Sequence, residues 1–129
     1  MSEYTNISKL ENYLQVTLKG NVTKNTFVGT LPDTIKTTWD DMVLIDCDSG
    51  LRDYDAYGKG IVNIFLYARP HSNGTKNVAV MDKLEEALDE VIKADSSDQF
   101  HLFKERVFSD YDSVRNWHCN VVLLGIISK

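Results

Sequence analysis

Hydrophobic positions along this chain change period several times, and each change marks an element. From residue 3 to 18, Tyr4, Ile7, Leu10, Leu14 and Leu18 recur three or four apart, the spacing that lines one face of an α-helix. Ser2 is placed to cap its start and Gly20-Asn21 to stop it. The pattern blurs between Asn21 and Asp41. There, Thr23 to Thr30 has strand-like composition broken by Asn and Gly, Leu31-Pro32-Asp33 marks a turn or a new helical start, and Trp39 offers an anchor to a core. Met42 to Asp46 is a short apolar strand that stops at Asp48-Ser49-Gly50. Leu51 to Gly60 is polar, aromatic and glycine-bearing, a loop or hairpin connection into the next strand. That strand, Ile61 to Ala68, is β-branched, aromatic and nearly continuous, as expected where both faces are partly covered.

Arg69-Pro70 ends the strand, and His71 to Lys76 is a turn-rich connector containing Asn73-Gly74. Asn77 is placed to cap a helix over 78–94 with an apolar stripe of Val78, Met81, Leu84, Leu88, Val91 and Ile92. Its solvent face carries Glu85, Glu86, Asp89, Glu90 and Lys93. After a polar break at Asp95 to Gln99, the pattern predicts a strand over Leu102 to Phe108 and a turn over Ser109 to Ser113. A last strand, Trp117 to Ile127, passes through the apolar run Val121-Val122-Leu123-Leu124. Helices are too few to alternate with strands. The expected fold class is therefore α+β: a mixed, largely antiparallel sheet of about four to five strands packed against roughly two or three helices.

The chain of 129 residues is expected to form a single domain over 1–129, long enough to bury roughly two thirds of its unfolded surface. Apolar residues make up 43% and charged residues 26%, which argues against disorder. No apolar run approaches the roughly 18 residues of a membrane helix. The segment Met1 to Leu14 lacks the basic start and apolar centre of a secretory signal, so a protein made and kept in the cytoplasm is expected unless a larger assembly carries it out. Without a secretory route, the Asn-x-Ser/Thr triplets at Asn6, Asn21 and Asn73 carry no glycosylation. Cys47 and Cys119 lie in apolar runs and read as buried small hydrophobes. A disulfide between them stays open but runs against a cytosolic setting, and zinc would need more ligands at closer spacing. The net charge of −5, with scattered Lys and Arg, disfavours a surface that grips a duplex.

The sharpest local pattern with chemical content is the strand Val43-Leu44-Ile45 running into Asp46-Cys47-Asp48. Two carboxylates so spaced beyond a strand end could hold Mg²⁺ or serve phosphoryl transfer, and superficially they look like the first motif of haloacid-dehalogenase-type phosphatases. No second acidic strand end follows. An EF-hand loop counted from Asp46 would need Gly and Glu where Leu51 and Tyr57 stand. Solvation of a turn by Asp46, Asp48, Asp53 and Asp55 is the stronger reading. His71, His101 and His118 lie far apart and lack a nucleophile elbow, although a Ser-His-Asp or Cys119-His site could assemble in space. Gly58-Lys59-Gly60 is too short for a phosphate loop and precedes a strand. Tyr54, Tyr57, Tyr67, Tyr111 and Trp117 could form a stacking platform for single strands, but packing is the more economical use on an acidic chain.

The second half of the chain has a characteristic order. A polar loop with small residues leads into a strand, Tyr57-Gly58-Lys59-Gly60-Ile61-Val62-Asn63-Ile64-Phe65-Leu66-Tyr67-Ala68; a turn with Gly follows, then the helix Val80-Met81-Asp82-Lys83-Leu84-Glu85-Glu86-Ala87-Leu88. An acidic turn then precedes Trp117-His118-Cys119-Asn120-Val121-Val122-Leu123-Leu124. Over residues 43 to 127 this resembles the tail-completion, or tail-terminator, proteins of long-tailed phages and prophages and their head–tail connector relatives. The resemblance is one of order and texture without an invariant motif, and it implies a structural, non-enzymatic part with no cofactor. It implies a homo-oligomeric ring of roughly six copies with heterologous interfaces, which caps the tail tube and meets the head-closure proteins. DNA would pass an acidic lumen without specific binding, and the protein would reside in the virion. The resemblance points to Asp53, Tyr54, Asp55 and Tyr57, with Arg69 and His71 of the connector, as assembly residues. Two alternatives come from other classes: a small metal-dependent enzyme using Asp46 and Asp48, and an adaptor that binds a protein through its sheet edge.

Overall fold

The computed structural model describes residues 7–47, 59–94, 98 and 100–128. The first helix, α1 (Ile7–Asn21), buries Leu10, Leu14 and Leu18 on one stripe. It stops where the sequence predicts. The Asn21 side-chain amide donates to the Thr17 carbonyl at 2.7 Å, and the Val22 and Thr23 N–H groups both return to Leu18 O at 2.7 and 3.2 Å. The Thr17 and Leu18 carbonyls thus have donors without further helix. The expected cap Ser2 and the apolar Tyr4 lie outside the described residues.

The blurred stretch resolves into strand β1 (Thr26–Val28), parallel to β2 (Asp41–Asp46) with Thr26 opposite Val43. Its polar residues obscure the strand pattern because they hold the strand in place. The Thr23 hydroxyl donates to Asp41 Oδ1 at 2.6 Å, and Asn25 Nδ2 donates to the Asp41 carbonyl at 3.1 Å. Thr26, only 2% exposed, satisfies its hydroxyl on the Thr23 carbonyl at 2.6 Å. Gly29, at φ 83°, then turns the chain out of the sheet in a conformation that other residues rarely adopt. Residues 29–40 form a strap that lays Leu31, Ile35 and Trp39 against the sheet before β2 begins.

Strand β3 (Lys59–Ala68) runs antiparallel to β2, and helix α2 (Val78–Ala94) follows. Asn77 caps α2 as expected: its Oδ1 accepts the Val80 N–H at 3.3 Å, while its carbonyl takes the first helical bond from Met81. Strands β4 (Phe100–Asp112) and β5 (Trp117–Ser128) form a long antiparallel hairpin whose second strand pairs with β3. The sheet order is β1-β2-β3-β5-β4, with β1–β2 the parallel pair, so the fold is α+β with a five-stranded mixed sheet. The described residues hold two helices.

Both helices cover one face of the sheet. Leu10, Leu14 and Leu18 of α1 and Met81, Leu84, Leu88 and Val91 of α2 meet Val43, Ile45, Val62, Ile64, Leu66, Val122, Leu124 and Ile126 from the strands. The opposite, outer face carries a smaller cluster of Met42, Tyr67, Trp117, Cys119 and Val121 beneath the strap. The central strand β3 is thus covered on both sides, as its continuous apolar run predicts, although Ile61 near its start stays 37% exposed.

Two expectations need correction. Ser109 to Ser113 is not the hairpin turn: β4 continues to Asp112, with Ser109, Asp110, Tyr111 and Asp112 opposite Asn120, Cys119, His118 and Trp117. The turn is Ser113–Asn116, closed by Asn116 N–H on Asp112 O at 2.7 Å with Asn116 at φ 60°. Turn-like composition yields here because β5 offers a full-length partner, and Asp112 captures the loop N–H groups. Val78 does not join the buried stripe; it opens the helix one turn ahead of Met81 and is 65% exposed.

Candidate assembly surface

Of the residues expected to carry function, Asp48, Asp53, Tyr54, Asp55 and Tyr57 lie outside the described residues. Asp46 ends β2 half-buried, and among the described residues no group of three His, Cys, Asp or Glu could hold a metal ion. His118 and Cys119 are neighbours on β5, so alternation sends them to opposite faces and these two do not pair. His118 instead sets a ring nitrogen 3.1 Å from Gly74 O and meets Tyr111 edge-on at 4.9 Å. Cys47 packs on the helix side and Cys119 on the outer side, and no disulfide joins them.

Among the described residues, Tyr67, Tyr111 and Trp117 do not share one face as a stacking platform, and Tyr54 and Tyr57 lie outside the described residues. Tyr67 and Trp117 are 5% and 4% exposed within the outer cluster, whereas Tyr111 is exposed on the other face beside His118. Arg69 is held inside the chain. Its Nε donates to Trp39 O at 2.8 Å, its Nη2 to Lys36 O at 3.0 Å, and its guanidinium lies 4.7 Å from the Trp117 ring centroid. It fastens the strap to the sheet. His71 is exposed in the connector, where its backbone N–H donates to Thr75 O at 2.9 Å. Lys76 ties that connector to the hairpin through Asn120 Oδ1 at 2.9 Å and Ser109 Oγ at 3.2 Å.

On the opposite face of the hairpin, at its turn, lies a polar knot. Asp112 accepts the Val114 N–H (3.0 Å), the Arg115 N–H (3.1 Å) and the Arg115 guanidinium (3.0 Å), and the Tyr67 hydroxyl reaches it at 3.3 Å. Burial alone would raise the Asp112 carboxyl, but the Arg115 and Val114 donors and the Arg115 charge outweigh it and hold it below its ordinary value. Burial pushes the Cys119 thiol up to about 11, helped by Asp110 and Asp112 and opposed by Lys76. Burial also raises Tyr67, with further contributions from Cys119 and Asp112.

The most accessible part of the sheet is β4. From Lys104 to Tyr111 every side chain is exposed, including Val107 at 37%, Phe108 at 41% and Tyr111 at 46%. This edge has no further strand beside it among the described residues. The first half of the edge is guarded by a bulge between Lys104 and Arg106 and by Lys104 itself, paired to Asp89 at 2.9 Å. The second half has neither device. The signal was present in the sequence: Lys104-Glu105-Arg106-Val107-Phe108-Ser109-Asp110 places charges on both faces of a strand, which suits an edge and not a centre. At the far side of the sheet, the opposite edge β1 is three residues long.

No known protein family matches the chain, and no characterised protein sequence gives a match to it.

Proposed function

We propose that this chain is a structural subunit of a bacteriophage or prophage tail or neck. In this reading it closes into a homo-oligomeric ring that caps the tail tube and joins it to the head-closure proteins. DNA passes through the ring without specific binding, and the protein belongs to the virion after synthesis in the bacterial cytoplasm. The resemblance over residues 43 to 127 motivates the reading. The observation that carries it is the inequality of the two sheet edges: a thirteen-residue β4, exposed from Lys104 to Tyr111, at one side, and a three-residue β1 at the other. A subunit with unlike flanks offers different surfaces to neighbours on either side, which a ring of identical copies with heterologous contacts requires. The net charge of −5 suits a lumen that lets DNA slide. Within the proposal, Asp53, Tyr54, Asp55, Tyr57 and His71 make assembly contacts, while Arg69 acts by holding the strap in place.

The test is to mix the chain with tail-tube protein and image the product by electron microscopy. Rings seated at tube ends, with tube length limited by added chain, are the expected result. Tubes that grow unchanged, together with no ring at any concentration of the chain alone, would overturn the reading.

A further inference from the structure

The unguarded half of β4 carries a charge order that is complementary to itself. Arg106, Phe108 and Asp110 stand opposite Leu123, Val121 and Cys119 of β5 and so share the outer face of the sheet. Arg106 makes no ion pair among the described residues; its guanidinium lies over the Phe108 ring at 5.7 Å. Asp110 accepts the Tyr111 N–H at 2.8 Å and forms no ion pair among the described residues. The strand is therefore basic at Arg106, aromatic at Phe108 and acidic at Asp110, on one face and at successive same-face positions. The seven residues from Arg106 to Asp112 are in continuous register with β5, so they form an unbroken edge after the bulge.

Two copies of such an edge fit each other in one orientation. Laid antiparallel about a two-fold axis through Phe108, Arg106 of each copy falls directly opposite Asp110 of the other, and Phe108 meets Phe108. Directly opposed residues in an antiparallel pair have Cβ atoms roughly 4.5–5.5 Å apart, within reach of an ion pair. A parallel arrangement in register would set Arg106 on Arg106 and Asp110 on Asp110, which is repulsive. The opposite edge, β1, is three residues long and is too short to pair along the whole of Arg106–Asp110. We propose that the free chain pairs with a second copy of itself through Arg106–Asp110 of β4, as an antiparallel two-fold dimer with Arg106 facing Asp110 on either side of Phe108. The dimer joins two five-stranded sheets into one of ten strands and satisfies the backbone groups of the exposed edge. It is a property of the strand and does not rest on the tail reading.

The test uses the full chain without tube protein, followed by light scattering coupled to size exclusion over a wide concentration range. Wild type should form a concentration-dependent dimer. Arg106→Asp and Asp110→Arg each set like charges opposite one another twice and should raise the dissociation constant roughly tenfold or more. An equimolar mixture of these two variants should recover the dimer, because each supplies the charge the other lacks at both symmetric positions. Phe108→Cys should give a disulfide-linked dimer on mild oxidation, since Cys47 and Cys119 are buried. Circular dichroism melts confirm that each variant folds. A wild-type chain that stays monomeric, single variants that dimerise like wild type, or a mixture that stays monomeric would each overturn the pairing. A ring formed by the free chain and insensitive to the charge exchange would overturn it while leaving the tail reading intact. Failure to cap tubes would count against that reading alone.

Discussion

Asp112 closes the hairpin turn and fixes Tyr67 at the same time, so its charge has a definite structural job. With a side chain only 12% exposed and three donors from Val114 and Arg115, the carboxylate is the acceptor on which the turn is built. Asp112→Asn keeps the shape but removes the charge, and should cost roughly 1–3 kcal/mol in urea unfolding near neutral pH. Because the folded carboxyl lies below its ordinary value, its contribution is present above the unfolded pKa and lost as pH falls through the folded one. Wild type and variant should therefore converge in strong acid; a gap that stays constant would mean charge is not its source. Cys119 and Tyr67 contribute at the alkaline end. Both are held protonated in the folded state, so stability is intact below their ordinary values and declines as pH rises past them, for the thiol from 9.0 towards about 11. Cys119→Ala should flatten the first part of that decline in unfolding measurements between pH 8 and 11 (a window of about these limits), while leaving the tyrosine part.

Among the elements, β5 shows most clearly how one residue type permits a packing arrangement. Gly125 stands opposite Phe103, and a Cβ there would come within 2.3 Å of the Phe103 ring, so the ring lies directly across the glycine. Gly125→Ala should cost roughly 1–3 kcal/mol by forcing that ring aside. In a Phe103→Ala background the same change should cost much less, and the coupling in the double-mutant cycle measures the contact. Additive losses would show that the ring moves freely. This pairing could not be read from the sequence, because nothing near Phe103 announces which residue of a later strand it will face. What was legible had local causes: the stripe of α2 with its Asn77 cap, the apolar continuity of β3, and the stop of α1 at Asn21. The parallel β1–β2 pair was not legible. Its Thr23, Asn25 and Asp41 act across a gap in sequence, and locally they look like loop. The end of β4 was misplaced for a related reason: Ser109-Asp110-Tyr111-Asp112 has turn composition, and only the length of β5 decides otherwise. For the surface, the residues singled out at 53–57 fall outside the described residues, while the β4 edge follows from which strand ends up outermost.

The molecule as a whole has a thick side and a thin side, and its two tryptophans report on only one of them. Trp39 and Trp117 both belong to the outer cluster under the strap, whereas α1 and α2 pack on the other face. Tryptophan fluorescence therefore follows the strap side, and far-ultraviolet circular dichroism is weighted toward the helices. Since Met42, Tyr67 and Val121 of the outer cluster lie on the same strands whose alternate residues form the helix-side core, the two signals should give one coincident transition in wild type. The strap's polar anchorage includes Arg69, through Trp39 O and Lys36 O, and the same guanidinium stacks on Trp117. Arg69→Met keeps an apolar stem but removes both carbonyl partners. In that variant the fluorescence transition should move to lower denaturant while the helical signal stays near wild type, because the strap can open locally without exposing the larger core. A variant in which both signals shift together would show that strap and helices form one cooperative unit, and that Arg69 stabilises the whole sheet through Trp117 instead of a single crossing segment.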